Sequence, residues 1–333
     1  MQKTRKKILV ALSGGVDSSV AALILKQKGY EVIAAFMNFW SEEQNNLCYN
    51  KCCSLESARR ARAIARKLKI KLYSLNYKEL FRKKVVEDYI QGHKNNQTPN
   101  PCVICNREIK FGRLLNLAQN LKCSKLATGH YARIIKNGQK FELFRGIDEK
   151  KDQSYFLWQI PRSSLSKIIL PIGSIRKSEV RKKAKKYHLS THNKKDSQGL
   201  CFISHSNSSF LKKYSQNRLK AGDVVDKKNN IIGRHQGLEL YTIGQRAGFL
   251  ITKYHSSPLY VIKLDAKKNN LVVGENKDTF FRSMVVSNLN WLASPKKNLL
   301  AQIRYQHKPA ESTLFKINQN RITTIRLNRL QHV

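Results

Sequence analysis

Positions 13–19 read Ser-Gly-Gly-Val-Asp-Ser-Ser, set between the apolar run of 8–12 and an alanine- and leucine-rich segment over 20–25. Gly14 and Gly15 lack Cβ atoms, so backbone N–H groups can close around a tetrahedral anion, and Ser13, Ser18 and Ser19 add hydroxyl donors at a helix start. The expected chemistry is phosphate binding. The stretch has neither the Lys of GxxxxGK[ST] nor the third Gly of GxGxxG, and an ordinary strand-to-helix turn is the bland alternative. A second reactive stretch, Thr98-Pro99-Asn100-Pro101-Cys102-Val103-Ile104-Cys105, continues into Asn106-Arg107-Glu108-Ile109-Lys110-Phe111. Its two prolines break the preceding helix and are expected to hand Cys105 to the start of a helix running to about 121. A thiol there, beside Arg107 and Lys110, has its thiolate favoured, as a nucleophile requires. Alone, Cys102 and Cys105 also suit a redox motif or half a metal site. Cys48, Cys52 and Cys53 invite a zinc reading, but no paired CxxC or His cluster adjoins them, which favours packing thiols.

The elements that must hold these groups alternate. Strands are expected over 8–12, 31–36 and 70–75, and helices from Val20, over 55–68 and over 80–89. Alternating strand and helix implies an α/β, doubly wound parallel sheet. Met37 then falls at the C-terminal end of a strand, where ligands bind in such folds, although a core role fits its pattern equally. From about 209 the chain turns to Gly-punctuated short strands, including 221–225, 233–238 and 241–246, and from about 284 it is β-rich again. The expected domains are 1–208, 209–283 and 284–333.

The 333 residues, 41% of them hydrophobic, are ample for a packed core. Lys and Arg number 63 against 22 Asp and Glu, a formal +41 spread along the chain. That charge implies a polyanionic partner, with nucleic acid the natural candidate. The composition, rich in Lys, Asn and Ile, also fits AT-rich codon usage. No signal peptide and no run of about 20 apolar residues is evident, so a cytoplasmic location with no membrane partner and reduced thiols is expected.

The phosphate loop resembles the SGGxDS loop of the ATP pyrophosphatases, or PP-loop enzymes. Taken with TPNPxxxCNxxIKF, the chain resembles the tRNA-specific 2-thiouridylases, and the match continues through ATGHYAR (127–133), KDQSYFL (151–157), LPIG (170–173), KSEVR (177–181) and DSQGLCFI (196–203). The resemblance implies a PP-loop domain of the adenine nucleotide alpha hydrolase type, a small β-rich central domain and a C-terminal β-barrel. That barrel looks shortened, because family members continue with a PGQ segment and a closing strand. It implies ATP on Ala11, Leu12, Ser13, Gly14, Gly15, Val16, Asp17, Ser18, Met37 and Gly129, with Mg²⁺ near Asp17. It places Asn100, Pro101 and Cys102 at the target base, and Lys151, Asp152, Gln153, Arg304 and Tyr305 on tRNA. The implied reaction is adenylation of the C2 carbonyl of the wobble uridine, in tRNAs accepting Lys, Glu or Gln, followed by sulfur transfer. Cys201 would carry a persulfide received from a cysteine desulfurase or relay protein. Cys105 would either attack that persulfide to release sulfide or resolve the product as a Cys105–Cys201 disulfide.

One departure stands out: many family members have Asp where this chain has Cys102, which leaves the assigned acid/base role to Asn100 or water. It also opens a rival arrangement, a [4Fe–4S] cluster on Cys102, Cys105 and Cys201. Two other readings are a PP-loop ligase acting on a small molecule and an RNA-binding remnant without catalysis. His130 is read as structural or adenine-side rather than as a catalytic base, and His235 as structural.

Overall fold

Apolar residues on both faces make β1 (Lys7–Ala11) a central strand, because parallel strands are covered by helices above and below. The computed structural model describes residues 5–44, 47–48, 54–194, 196, 199–215, 219–252, 257–294, 296–317 and 323–332. Cys52, Cys53, Ser197 and Gln198 therefore lie outside the described residues, and with them the zinc reading.

The described chain forms two units, the first of residues 1–87 and 100–204 and the second of 88–99 and 205–333. In the first, β1 pairs in parallel with β2 (Glu31–Asn38). A two-residue-per-strand hairpin, β3 (Glu43–Gln44) and β4 (Leu47–Cys48), precedes β5 (Lys71–Asn76). β6 (Lys125–Ala127) lies on the other side of β1; then come the hairpin β7 (Ala132–Asn137) and β8 (Lys140–Arg145), and β9 (Ile168–Ile169). The sheet order is β5-β2-β1-β6-β9, parallel throughout. The chain thus winds outward to one side through β2 and β5, then crosses back to β6. The C-terminal ends of β1 and β6 flank the point where winding reverses, which is where such sheets bind ligands. The doubly wound expectation is met.

Helices cover the sheet. α1 (Val16–Gln27) packs against α7 (Lys177–Lys186), and Val10, Leu12, Val20, Leu25, Phe36, Ile64 and Val180 share one core. α2 (Leu55–Lys67) is capped by Ser54, whose Oγ accepts from Ser57 N. α3 (Lys78–Phe81) passes through a π-helical turn, Arg82–Val86, into α4 (Glu87–Lys94). α5 (Pro101–Cys105) passes through a longer one, Asn106–Arg113, into α6 (Leu114–Asn120). Among the described residues no helix is long and apolar enough to cross a membrane.

From 205 the second unit continues with a helix where short strands were expected. α8 (Asn207–Tyr214) forms because the Ser206 hydroxyl accepts from Ser209 N, a cap at the point where composition alone turns β-like. Next come β10 (Gly222–Val225), β11 (Ile231–His235), β12 (Leu250–Ile251), β13 (Tyr260–Asp265) and β14 (Asn270–Gly274), in the order β12-β11-β10-β14-β13. Residues 241–246 are turn rather than strand: Gly237, at φ +143°, bends the chain into a short 3₁₀ turn, and the Tyr241 hydroxyl ties the loop to Gly248 O at 2.8 Å. β15 (Phe280–Val286), β16 (Asn298–Ala301), β17 (Ala310–Ile317) and β18 (Thr323–His332) form an antiparallel sheet in the order β15-β18-β17-β16. Among the described residues this sheet is open, with β15 and β16 as its edges, and the shortened barrel expected here is not seen to close. Leu300 on the β16 edge is 65% exposed.

Candidate active site

The loop leaving β1 is shaped by backbone that only glycine tolerates. Gly14 has φ +69°, and a Cβ there would sit 2.3 Å from the carbonyl oxygen of Ser57. Arg60 on α2 donates from Nε to Gly14 O at 3.2 Å, which fixes the outer side of the loop. Gly15 is the N-cap of α1, so the first-turn amides of that helix face the loop with no intrahelical acceptor. A cradle of this kind suits a phosphate.

The serines divide their labour differently from expectation. Ser19 is fully buried and donates to Gly15 O at 2.8 Å, and Ser18 donates to the same oxygen at 3.1 Å while accepting from Ser13 N at 3.2 Å. Both hydroxyls brace the loop from inside. Ser13 is exposed, its Oγ 3.2 Å from that of Ser18, so of the three hydroxyls it is the one a bound anion can reach.

Gly129 lies just beyond β6 and presses on the same helix start. A Cβ at Gly129 would meet Ser18 N at 2.7 Å and Asp17 C at 2.8 Å. Met37, near the end of β2, is 8% exposed. Leu12 is fully buried and donates from its backbone N to Ala35 O at 2.8 Å, while Ala11 ends β1 and Val16 starts α1. The expected nucleotide residues therefore converge at the switch point. His130 is buried beside them, its Nδ1 2.7 Å from Thr128 Oγ1. Burial, assisted by the Lys110 charge, pushes its pKa well down, so the ring is neutral and structural. His235 is likewise buried, its Nε2 2.9 Å from Asn269 O.

Asp17 is not open to solvent on all sides. Lys177 at the start of α7 donates to its Oδ1 at 2.7 Å and Oδ2 at 2.8 Å, and Tyr131 donates to Oδ1 at 2.7 Å. The same ammonium is 2.9 Å from Asp196 Oδ1, so its three donors meet three carboxylate oxygens. Asp196 is also held by Lys151 at 2.7 Å and Arg181 at 2.9 Å. Burial pushes Asp196 up, but the hydrogen bonds from Lys151 and Lys177 outweigh it and hold the carboxyl at about 2. Burial, then Asp17, raise Tyr131, so it donates as a phenol, and the bond to Asp196 raises Lys151.

Because the folded-state pKa of Asp196 lies below its ordinary value of 3.8, its stabilising contribution is full above that value and is lost as pH falls towards about 2. Asp196→Asn should therefore lower the urea midpoint at pH 7, and the gap to the unmodified protein should close as pH falls from about 4 to about 2. A gap of constant size would remove Asp196 as the titrating group.

The proline-framed stretch begins its helix earlier than expected. Asn100 is the N-cap, its Oδ1 accepting from Val103 N at 3.4 Å, and Pro101 occupies the first turn. Cys105 is thus the last residue of α5 rather than its first, it is buried, and the helix-start position belongs to Cys102, which is partly exposed. Thiolate support from the helix N-terminus applies to Cys102 more than to Cys105, because the dipole effect fades after the first turn. Arg107 pairs with Glu108 at 2.7 Å and Gln159 at 2.8 Å. Asn106 Nδ2 donates to Phe156 O at 2.9 Å, and this buried link opens the π-helical stretch, a feature frequent at functional sites.

Cys201 is partly exposed in the turn after Gly199. On its C-terminal side Phe202 stacks edge-on to Phe81 at 5.8 Å, and Ser204 donates to Glu42 Oε2 at 2.9 Å. No disulfide joins the described cysteines 102, 105, 123 and 201. Among the described residues no three His, Cys, Asp or Glu side chains gather as metal ligands, so Cys102, Cys105 and Cys201 do not form the donor set an iron–sulfur cluster needs.

Asp152 and Gln153 make hydrogen bonds within the first unit. Asp152 accepts from Gly146 N at 2.8 Å and from Ser154 Oγ at 2.7 Å, and Gln153 Oε1 accepts from Tyr131 N at 3.0 Å. Arg304 and Tyr305 belong to the second unit, where Arg304 donates to Ile243 O at 2.7 Å. Tyr131, Lys177, Arg181 and Asp196 had no site role from sequence. The available signal was scarcity: with 22 acidic residues against 63 basic ones, an acid within a recognised block is a strong candidate for a charge-pairing role.

A phosphate cradle at the reversal point of a five-stranded parallel sheet, with a cysteine-bearing helix in the same unit, defines a nucleotide-binding α/β protein. Residues 6–205 match the tRNA methyl transferase HUP domain family, and residues 208–275 match the tRNA methyl transferase PRC-barrel domain. The chain is 39% identical over 327 residues to the tRNA-specific 2-thiouridylase MnmA of Clostridium beijerinckii, covering 96% of this chain and 91% of that one. It is 38% identical to the protein of that name from Clostridioides difficile, covering 96% of this chain and 90% of that one. The chain belongs to the tRNA-specific 2-thiouridylase family. Among solved structures, a 4-thiouridine synthetase–RNA complex with bound ATP is similar at 22% identity and a TM-score of 0.37, covering 63% of this chain and 50% of that one.

Proposed function

We propose that this protein is an ATP-dependent tRNA-uridine 2-sulfurtransferase that places sulfur at C2 of the wobble uridine. The observation that carries the reading is the glycine cradle at the switch point, within a chain that aligns almost end to end with 2-thiouridylases. ATP supplies an adenylate that turns the C2 oxygen into a leaving group, with Mg²⁺ on the phosphates. Ser13, Gly14, Gly15 and the first-turn amides of α1 would hold the phosphates, with Met37 and Gly129 closing the nucleotide site. Asp17 would serve Mg²⁺ once its bonds to Lys177 are exchanged for phosphate. Cys201, partly exposed, receives sulfur from a persulfide donor, a cysteine desulfurase or a relay protein. The outer persulfide sulfur would replace the adenylated C2 oxygen as AMP leaves, and the thiolate of buried Cys105 would attack Cys201 Sγ, forming a Cys105–Cys201 disulfide as the sulfur stays on the base; Asn100, Pro101 and Cys102 would border that base. The iron–sulfur alternative lacks a gathered donor set and carries no step.

Lys151, Asp152, Gln153, Arg304 and Tyr305 are proposed for the tRNA side, the anticodon loop of Lys, Glu or Gln acceptors, in the cytoplasm. The three-part division at 208 and 283 is supported by the separate second-unit sheets β12-β11-β10-β14-β13 and β15-β18-β17-β16. The deciding experiment is thiolation of unmodified tRNA by the purified chain with ATP and a persulfide source; exchange of ATP and pyrophosphate driven by a small acid alone would favour the small-molecule ligase. Salt gives a second check. With several phosphate contacts, tRNA affinity should fall about 10³-fold or more between 50 and 200 mM salt. A flat dependence would assign the net charge to composition.

A further inference from the structure

Cys201 sits between two attachments of different kinds. On its C-terminal side the anchor is packing and a neutral donor, Phe202 on Phe81 and Ser204 on Glu42. On its N-terminal side, five residues back, the anchor is ionic: Asp196 held by Lys177, Lys151 and Arg181. Five residues span at most about 17 Å of extended chain, so holding Asp196 confines Cys201. The ionic anchor is shared with the phosphate loop, because the Lys177 ammonium that meets Asp196 also meets both oxygens of Asp17. Lys177 is 8% exposed, and each of its three donors has an acceptor.

We infer that Lys177 is a positioning residue that latches the Cys201 segment to the phosphate loop, and that polyphosphate in the loop opens the latch. This rests on the loop being the ATP site. A polyphosphate bound at the start of α1 places several negative charges beside Asp17, and Mg²⁺ competes for the Asp17 oxygens. Lys177, with Lys151 and Arg181 behind it, then turns from Asp196 to phosphate, since one ammonium cannot satisfy both sets of oxygens. Asp196 loses its cations, and the turn at Gly199, which has φ +74°, lets Cys201 swing on its fixed C-terminal anchor. The consequence is order. Cys201 is presented to its sulfur donor and to the activated base only when the nucleotide is in place, which protects a persulfide from wasteful discharge.

The test is the rate of Cys201 alkylation by iodoacetamide, read at the peptide by mass spectrometry, with and without saturating Mg²⁺–pyrophosphate. Binding of that probe is measured in parallel by calorimetry. In the unmodified protein the rate should rise at least fivefold on binding. Lys177→Met should alkylate at the fast rate without pyrophosphate and show no further response, whereas Lys177→Arg should restore the response. A general loosening of the fold would raise alkylation at buried Cys105 as well, and such a result would assign Lys177 a merely structural role and overturn the latch. If the unmodified protein binds pyrophosphate and its Cys201 rate is unchanged or slower, the latch is wrong while the nucleotide reading stands. If neither pyrophosphate nor ATP binds, the nucleotide reading fails and the latch falls with it.

Discussion

Cys201→Ser and Cys105→Ser are each expected to lower thiolation turnover by about 10³-fold or more while leaving ATP and tRNA binding within about twofold. The argument is chemical. Carrying sulfur as a persulfide requires a sulfur–sulfur bond, and a serine oxygen offers neither the bond nor an accessible anion near neutral pH. The substitution is nearly isosteric, so neither residue's packing is greatly disturbed, although a serine hydroxyl left without a hydrogen bond at buried Cys105 costs about 1–3 kcal/mol of stability. The two variants should fail at different points. With a ³⁵S-labelled persulfide donor, Cys201→Ser should take up no label, because the receiving thiol is absent. Cys105→Ser should take up label and hold it without passing it to tRNA. Cys102→Ser should retain most of its turnover, since no sulfur is assigned to it, and a loss equal to that of Cys105→Ser would transfer the resolving role to Cys102. Full turnover of either principal variant would end the two-cysteine mechanism.

The parts of this arrangement that sequence made legible are the local ones. An apolar run ending in Ser-Gly-Gly at 13–15 fixes a strand, a loop and a helix in succession, and the structure has them where the pattern puts them. The parallel sheet followed from alternating strand and helix patterns. Helix boundaries were less legible, and two of the misses have a cap behind them. Asn100 and Pro101 start α5 four residues before Cys105, and Ser206 starts α8 inside a stretch whose composition reads as β. The least legible feature is the ion network. Asp17 and Lys177 are 160 positions apart, and in a chain with 63 basic residues no one lysine announces a partner. The inward turn of the Ser18 and Ser19 hydroxyls was equally hidden, since the sequence shows a hydroxyl at a helix start but not which side of the helix faces the core.

Gly129→Ala is expected to weaken ATP binding by roughly 5- to 150-fold, the range that about 1–3 kcal/mol of overpacking implies. The new Cβ would stand 2.7 Å from Ser18 N and 2.8 Å from Asp17 C, and neither neighbour is the yielding end of a side chain. Gly129 follows β6, which is clamped between β1 and β9, so the strand side cannot retreat easily. The relief must come from the first turn of α1, the same turn whose amides are proposed to hold phosphate. Displacing it by a few tenths of an ångström also disturbs the Ser18 bonds to Gly15 and Ser13 that brace the loop. Gly138→Ala separates this effect from a general loss of stability. Gly138 sits in the β7–β8 hairpin at φ +56°, and a Cβ added there would meet no atom within 4 Å, so alanine costs about 1 kcal/mol of stability through backbone strain alone. The two variants should therefore lie within a few degrees of each other in Tm and diverge in ATP Kd, with Gly138→Ala unchanged. Equal ATP affinities in both would mean that the nucleotide does not lean on the junction of β6 and α1, and the phosphates would have to be sought elsewhere in the first unit.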